Sequence, residues 1–454
     1  MHRLLLLMTT TTYRAGAFLE AARRLDVPVV VGSDRPQVLA AANPAGNLTV
    51  SFLAPDAGAE SIVKFTREYP IQAVIAADDD GVILAATASA ALGLPHNPVK
   101  AVSAARNKHR MREVLTKAGI LSPHFMQAPI SEDPAVVAHR VTYPCVLKPL
   151  FLAGSRGVIR ANGPAEFVAA FRRIVPILQA PEVVAQGAEL ADRILIEDFI
   201  PGVEVALEGL LSDGHLRVLT IYDKPDPLDG PFFEETIYVT PSRLPVTVQE
   251  RITACTAAAL EALGLRHGPI HAELRINDRG VWIIEIAARS IGGLCSRTLR
   301  FGAGISLEEL ILRHALGLDP SSFFEREGQA AGVMMIPIPQ PGMLREVLGK
   351  PEAERVPGIE EIRVTIPVGQ ELVPLPEGSR YLGFIFARNE TPERVEASLR
   401  EAHRRLTFII TPPDDTAMNG TAAPSAEVEA PTKEEARRSR YRTGLVAGGS
   451  RRSH

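Results

Sequence analysis

The chain has 454 residues, 46% of them hydrophobic and 22% charged, with a formal net charge of −4. Length allows about three domains. The mild negative balance excludes a surface built for nucleic acid or anionic membrane. Cys145, Cys255 and Cys295 are far apart and lack CxxC spacing, which argues against a disulfide framework or a thiolate metal site.

In chain order, the opening MHRLLLLMTTTTY turns polar too soon for a secretory signal and reads as a first strand. No apolar run approaches the ~20 residues of a membrane span, so a cytoplasmic protein is expected. Strand signals at 4–8, 27–34, 48–53 and 73–79 alternate with helical stretches at 15–25 and 81–93. That order predicts a parallel sheet with helices on both faces over residues 1–106. No GxGxxG follows the first strand, so a dinucleotide site is unsupported.

Residues 107–119 predict a helix capped by Asn107 and stopped by Gly119, with Met111, Val114, Leu115 and Ala118 on one face. YPCVLKPL (143–150) predicts a strand ending near Lys148, followed by the glycine-bearing loop 151–158 and a short second strand. Residues 191–211 predict a strand, a turn at Pro201-Gly202 and another strand. A helix near 247–263 precedes a hairpin, HAELRINDRGVWIIEI, and a second helix spans 306–317, with a Ser306/Glu309 capping box and Gly317 at its exit. Strand patterns and a Thr391-Pro392 helix start over 330–411 predict a third unit. Residues 412–454, rich in Ala, Thr, Pro, Ser and charge, predict disorder, with a basic cluster at Arg437–Arg442.

The hairpin is the most telling segment. A three-residue loop Asp278-Arg279-Gly280, with Gly280 left-handed, places Glu273 opposite Glu285. Like charges facing across a ladder destabilise it. Either the pair faces solvent or a cation lies between them, and two carboxylates with phosphate oxygens suit Mg²⁺.

Lys108, Lys148, the loop GSRGV, IEDFIPGVE and the E…EIAAR pair follow the order seen in ATP-grasp ligases, a resemblance covering roughly 1–411. DKPDPLDGPFFEETIYVTP (223–241) and EIAARSIGG (285–293) resemble carboxylate–amine ligases that include bacterial L-amino-acid (dipeptide) ligases. The resemblance implies a mixed α/β and α+β fold: an N-terminal parallel α/β domain (1–106), a two-lobed ATP-grasp (107–320), and a small C-terminal α+β domain (330–411).

It also implies roles. ATP is held by Lys108 and Lys148 on the phosphates and by the loop with Gly154, Ser155 and Gly157. Glu197 faces the adenine amino group, the backbone of Asp198, Phe199 and Ile200 reads the adenine edge, and Glu204 accepts from the ribose. Glu273 and Glu285 are ligands of Mg²⁺ (or Mn²⁺). The family's asparagine two residues after the second glutamate is Ala287 here, which leaves a second metal in doubt. Arg289 contacts the transferred phosphoryl group and the carboxylate substrate. His271 has two readings, a phosphate contact or a satisfied structural histidine. Glu235 pairs with the first substrate's amino group, and Tyr238 stands where related ligases have His. Gly292 and Gly293 line the substrate pocket.

The reaction implied is ATP-dependent joining of a carboxylate, such as an amino acid, to an amine through an acyl phosphate. The partners are small molecules, with neither nucleic acid nor membrane, and a homodimer is common in the family. The alternatives are a biotin-carboxylase-like or purine-pathway enzyme using bicarbonate or formate, and a non-catalytic ATP-binding module.

Overall fold

The computed structural model describes residues 3–10, 12–36, 46–302, 304–318 and 324–412. The compact body is Met1–Thr411. The expected disorder from 413 onward, with its basic cluster, lies outside the described residues.

The N-terminal strands form a parallel sheet in the order Asn47–Thr49, Val29–Ser33, Leu4–Leu7, Ala73–Ala76. The run Leu4–Leu7 is fully buried because both faces are covered. Leu5 and Leu7 pack with Val30, Ile62 and Leu84, whereas Leu4 and Leu6 pack with Phe18 and Ala21 in a core that reaches the neighbouring lobe. Helix Val82–Leu92 ends at Gly93, whose φ of +67° is the left-handed cap that glycine supplies without strain.

Helix Lys108–Lys117 leads into the next lobe, and the Asn107 side chain accepts from the Arg110 N–H at 3.1 Å. Met111 and Leu115 are buried as expected, but Ala118 is exposed, and the charged Lys108 and Arg112 are buried instead. An antiparallel sheet follows, in the order Phe125–Pro129, Arg193–Asp198, Cys145–Pro149, Ile159–Ala161. Helix Pro164–Gln179 covers it with Phe167, Phe171 and Ile174.

The main sheet has eight strands in the order Gly280–Ala287, Gly268–Asn277, Val203–Ser212, His215–Asp223, Ile237–Thr240, Ala330–Ile336, Gly383–Asn389, Ile359–Val364. Pro201-Gly202 therefore does not close a hairpin. The strands before and after it belong to different sheets, so the turn passes the chain from one lobe to the other. Helix Val246–Leu263 buries Ile252, Leu260 and Leu263 against one part of the main sheet. Helix Pro392–Arg404, capped by Thr391, buries Val395 and Leu399 against the C-terminal strands. The α/β and α+β architecture expected from the sequence is present.

Candidate active site

The site lies where the two lobes face each other, and strand alternation explains its composition. On Gly268–Asn277, residues Ile270, Ala272 and Leu274 enter the apolar core under helix Val246–Leu263, which turns His271, Glu273 and Arg275 to the cleft. On the neighbouring strand Val205 and Leu207 point to that core, leaving Glu204 and Glu208 on the opposite face. The register sets Arg275 opposite Glu204 and His271 opposite Glu208, with Ala206 opposite Glu273. Complementary charges thus face each other directly. Arg275 Nε donates to Glu204 at 2.7 Å, and His271 Nδ1 bonds Glu208.

Glu273 does pair with Glu285. The route differs from the expected one. Asn277 pairs with Gly280, so the turn has two residues, and that register alone would set Glu273 opposite Ile284. A bulge at Ile284 shifts the pairing by one and restores Glu285 as the partner. Gly280 has φ +142°, positive but outside the left-handed helical region.

The chain's own cations offset these acids. Lys108 Nζ lies 3.0 Å from Glu285 and donates to the Leu152 carbonyl at 2.8 Å. Lys224, buried, reaches Glu204 at 2.8 Å, Glu235 at 2.5 Å and Glu273 at 3.7 Å. Carboxylate oxygens of Glu204, Glu235 and Glu273 lie within 4.8 Å of one another. Burial would raise the Glu273 carboxyl, but Lys224 and His271 hold it well below the usual range. Burial would lower His271, yet Glu208 and Glu273 bring it to about 9, so the imidazole is protonated at neutral pH.

At the other end of the cleft, Glu197 is 2% exposed. Arg112 Nε donates to one of its oxygens at 2.7 Å and Lys148 Nζ reaches the other at 2.6 Å. Burial would raise this carboxyl, but the two cations keep it below its ordinary value. Asp198, Phe199 and Ile200 follow along the wall.

The glycine loop is tethered. Gly154, Ser155 and Gly157 have φ of +64°, +55° and +74°. Gly154 and Ser155 line the cleft, whereas the Gly157 N–H donates to the Pro376 carbonyl at 2.8 Å. Gly157 therefore points its donor at the C-terminal segment and not into the cleft. Arg156 Nε donates to the Glu377 carbonyl at 2.9 Å, and Arg173 grips the Glu377 carboxylate at 2.6 and 3.0 Å.

The cleft, about 930 Å³, brings together Lys108, Lys148, Glu197, Glu204, Glu273, Glu285 and Arg289. It continues into a second chamber of about 1220 Å³ lined by Tyr238, Gly292 and Gly293, with Glu235, His271, Glu273 and Arg289 on the boundary. Tyr238 donates to Glu235 at 2.6 Å, and a side chain at Gly292 would meet open space. Arg289 donates to Asp79 at 2.8 and 3.0 Å across the junction with the parallel sheet. Ala287 is buried and offers no side-chain donor.

Sequence reasoning missed Arg112, Lys224, Arg275, Glu208 and Asp79. Arg112 follows Lys108 by four, so both share a helix face. Arg275 and Glu208 keep the two-residue spacing of their strands. Asp79 belongs to an acidic run after a parallel strand, where open α/β sheets bind ligands.

Three family models match: an ATP-grasp N-terminal domain over 19–96, an ATP-grasp domain over 141–298 and an L-amino acid ligase C-terminal domain 2 over 334–411. The chain is 27% identical over 266 residues to alanine–anticapsin ligase of Bacillus subtilis (strain 168), covering 56% of each chain. It is 28% identical over 241 residues to dapdiamide A synthase of Enterobacter agglomerans, covering 52% of this chain and 55% of that one. It thus spans about half the length of these curated relatives. The crystal structure of an L-amino acid ligase from Bacillus licheniformis superposes with a TM-score of 0.73 at 26% identity, over 90% of this chain and 99% of that one. Phosphoribosylglycinamide synthetase from Anaerococcus prevotii, at 16% identity and a TM-score of 0.64 over 90% of this chain and 100% of that one, shares the fold. By these matches the chain carries an ATP-grasp domain between an ATP-grasp N-terminal domain and an L-amino acid ligase C-terminal domain, and its architecture is like that of an ATP-grasp amino-acid ligase.

Proposed function

We propose that the chain is an ADP-forming carboxylate–amine ligase that activates an amino acid or similar acid as its acyl phosphate. One observation carries this reading: cations suited to phosphates and carboxylates suited to a metal line a single cleft that opens on a substrate chamber. Lys108, Lys148 and the Gly154-Ser155 backbone hold the triphosphate, with Asp198–Ile200 at the adenine edge and Glu204 at the ribose. Glu197, whose oxygens are already engaged by Arg112 and Lys148, aligns Lys148 and presents its remaining lone pairs to the adenine amino group.

Glu273 and Glu285 offer the hard oxygen donors that Mg²⁺ or Mn²⁺ takes, and their pairing across the ladder fits one ion. When bound, that ion neutralises charge on the phosphate oxygens. Protonated His271 adds a positive charge beside Glu273. Arg289, held by Asp79, presents its guanidinium to the substrate carboxylate and to the phosphoryl group passing to it. Glu235, fixed by Lys224 and Tyr238, receives the substrate amino group. The tethered loop excludes water from the acyl phosphate, which an amine then attacks to release phosphate.

The domains we assign to this work are 1–106, the grasp 107–320 and the C-terminal 330–411. The partners are small molecules, in a cytoplasmic setting and with a homodimer as the working assembly. Phosphate and ADP release screened across pairs of amino acids, with mass spectrometry of the products, tests the reading. Glu285→Ala should lower ADP formation about a hundredfold or more with an unchanged unfolding transition. Near-normal turnover in that variant would refute the metal assignment.

A further inference from the structure

Arg275 borders the nucleotide cleft beside Glu204, Phe199 and Phe233, yet it is 3% exposed. A buried guanidinium needs acceptors along its whole fork. Arg275 finds three, one for each nitrogen. Nε donates to Glu204 and Nη1 to the Ile200 carbonyl, each at 2.7 Å, and Nη2 donates to the Leu228 carbonyl. The guanidinium carbon sits over the Phe199 and Phe233 rings, 5.0 and 5.8 Å from their centroids.

Those acceptors come from three segments with different tasks. Ile200 closes the stretch at the adenine edge. Glu204, the acid at the ribose, lies on Val203–Ser212, and Leu228 lies in the loop between His215–Asp223 and Ile237–Thr240. A guanidinium is planar and its donors point in fixed directions. Arg275 therefore fixes where the acid stands relative to the backbone that reads the base.

Glu204 has a second cation, Lys224 at 2.8 Å, on its other oxygen. The two grips are unequal. Lys224 is shared, lying 2.5 Å from Glu235 and 3.7 Å from Glu273, whereas among the described residues Arg275 bonds no carboxylate but Glu204. A carboxylate offers about four lone pairs, so with two donors engaged it keeps two for hydroxyls. The direction of those two is set by the donors that already hold it.

Resting on the ligase reading above, we propose that Arg275 is the positioning residue for ribose recognition. It turns the Glu204 carboxylate to the ribose hydroxyls and keeps that acid in register with the adenine edge, while its own nitrogens stay on protein acceptors.

Calorimetry of the full chain with ADP and 2′-deoxy-ADP, in the presence of Mg²⁺, tests this. The deoxy compound lacks one hydroxyl, so wild type should bind ADP about tenfold or more tightly, as one hydrogen bond to a charged acceptor implies. Arg275→Met should bring that ratio to about threefold or less. A residue with a purely structural role would weaken both nucleotides alike, so a ratio kept at the wild-type value overturns the proposal. Because Arg275 acts through Glu204, the double variant with Glu204→Gln should show the ratio of Glu204→Gln alone, and additive effects would overturn it too. If Arg275→Met does not fold, Arg275→Lys carries the test. A single ammonium on a flexible stem cannot hold three acceptors in one plane, so the ratio should still fall about threefold or more, and a wild-type ratio refutes the role. A ratio that collapses in Glu204→Gln but not in Arg275→Met sinks this proposal alone. A wild-type ratio near one sinks the ribose assignment of Glu204 with it, and binding of neither nucleotide by wild type sinks the ligase reading as well.

Discussion

Replacing Arg112 by methionine tests whether the adenine end of the cleft is organised by a buried ion network. Arg112 is 0% exposed and donates Nε to Glu197 at 2.7 Å. One terminal nitrogen reaches the Ile284 carbonyl at 2.5 Å, and the other has no partner. Removing one member of a buried charge pair costs ~3–5 kcal/mol. Lys148 still holds Glu197, and relieving the unpartnered nitrogen returns ~1 kcal/mol. The expected net loss is about 2–3 kcal/mol. Urea unfolding followed by Trp282, the one tryptophan of the chain, reads this loss two residues from Ile284. Glu197 titrates below the ordinary range, so its contribution is present above the unfolded carboxylate pKa and disappears as pH falls through the folded value. The gap between wild type and Arg112→Met should therefore close at acid pH. A loss under ~1 kcal/mol at neutral pH, or a gap that widens with acid, would refute the reasoning.

Three further outcomes follow from the geometry. Arg289→Ala should abolish ligation with only a modest loss of ATP affinity by calorimetry; equal losses in both would place Arg289 in nucleotide binding. Glu377→Ala frees Arg173 but leaves Arg156 on the residue 377 carbonyl, and because the Arg173–Glu377 pair is exposed, stability should change by under ~1 kcal/mol. Phosphate release per molecule of amide product should nevertheless rise, and an unchanged ratio would show that the tether does not exclude water. His314, tilted against His267 with ring centroids 4.5 Å apart, is pushed down to about 4 by burial and by His267. Its unfolded value near 6.5 is higher, so stability should fall as pH drops from 6.5 toward 4. His314→Asn should flatten that slope in thermal melts.

Much of this was legible in the sequence because local signals agreed with the global fold. Asn107, Ser306 and Thr391 cap the helices that they were expected to cap. The facing glutamates followed from a period of two, although turn length and bulge each departed from expectation and cancelled. Partners brought together by tertiary structure were not legible. The Arg112–Glu197 and Arg289–Asp79 pairs span 85 and 210 positions, and no local pattern records them. Pro201-Gly202 has the composition of a hairpin turn, and composition alone does not tell which sheet each flanking strand joins.

The continuity of the eight-stranded sheet sets where this chain tolerates cutting. Ile237–Thr240 bonds its neighbour on one side only through Ala330–Ile336, whose seven residues are all buried. A fragment stopping near residue 320 would present that strand's bare N–H and C=O groups, and the apolar surface beside them, to other molecules. The remaining part would then invite edge-to-edge self-association, so the last eighty residues of the body act as its hem.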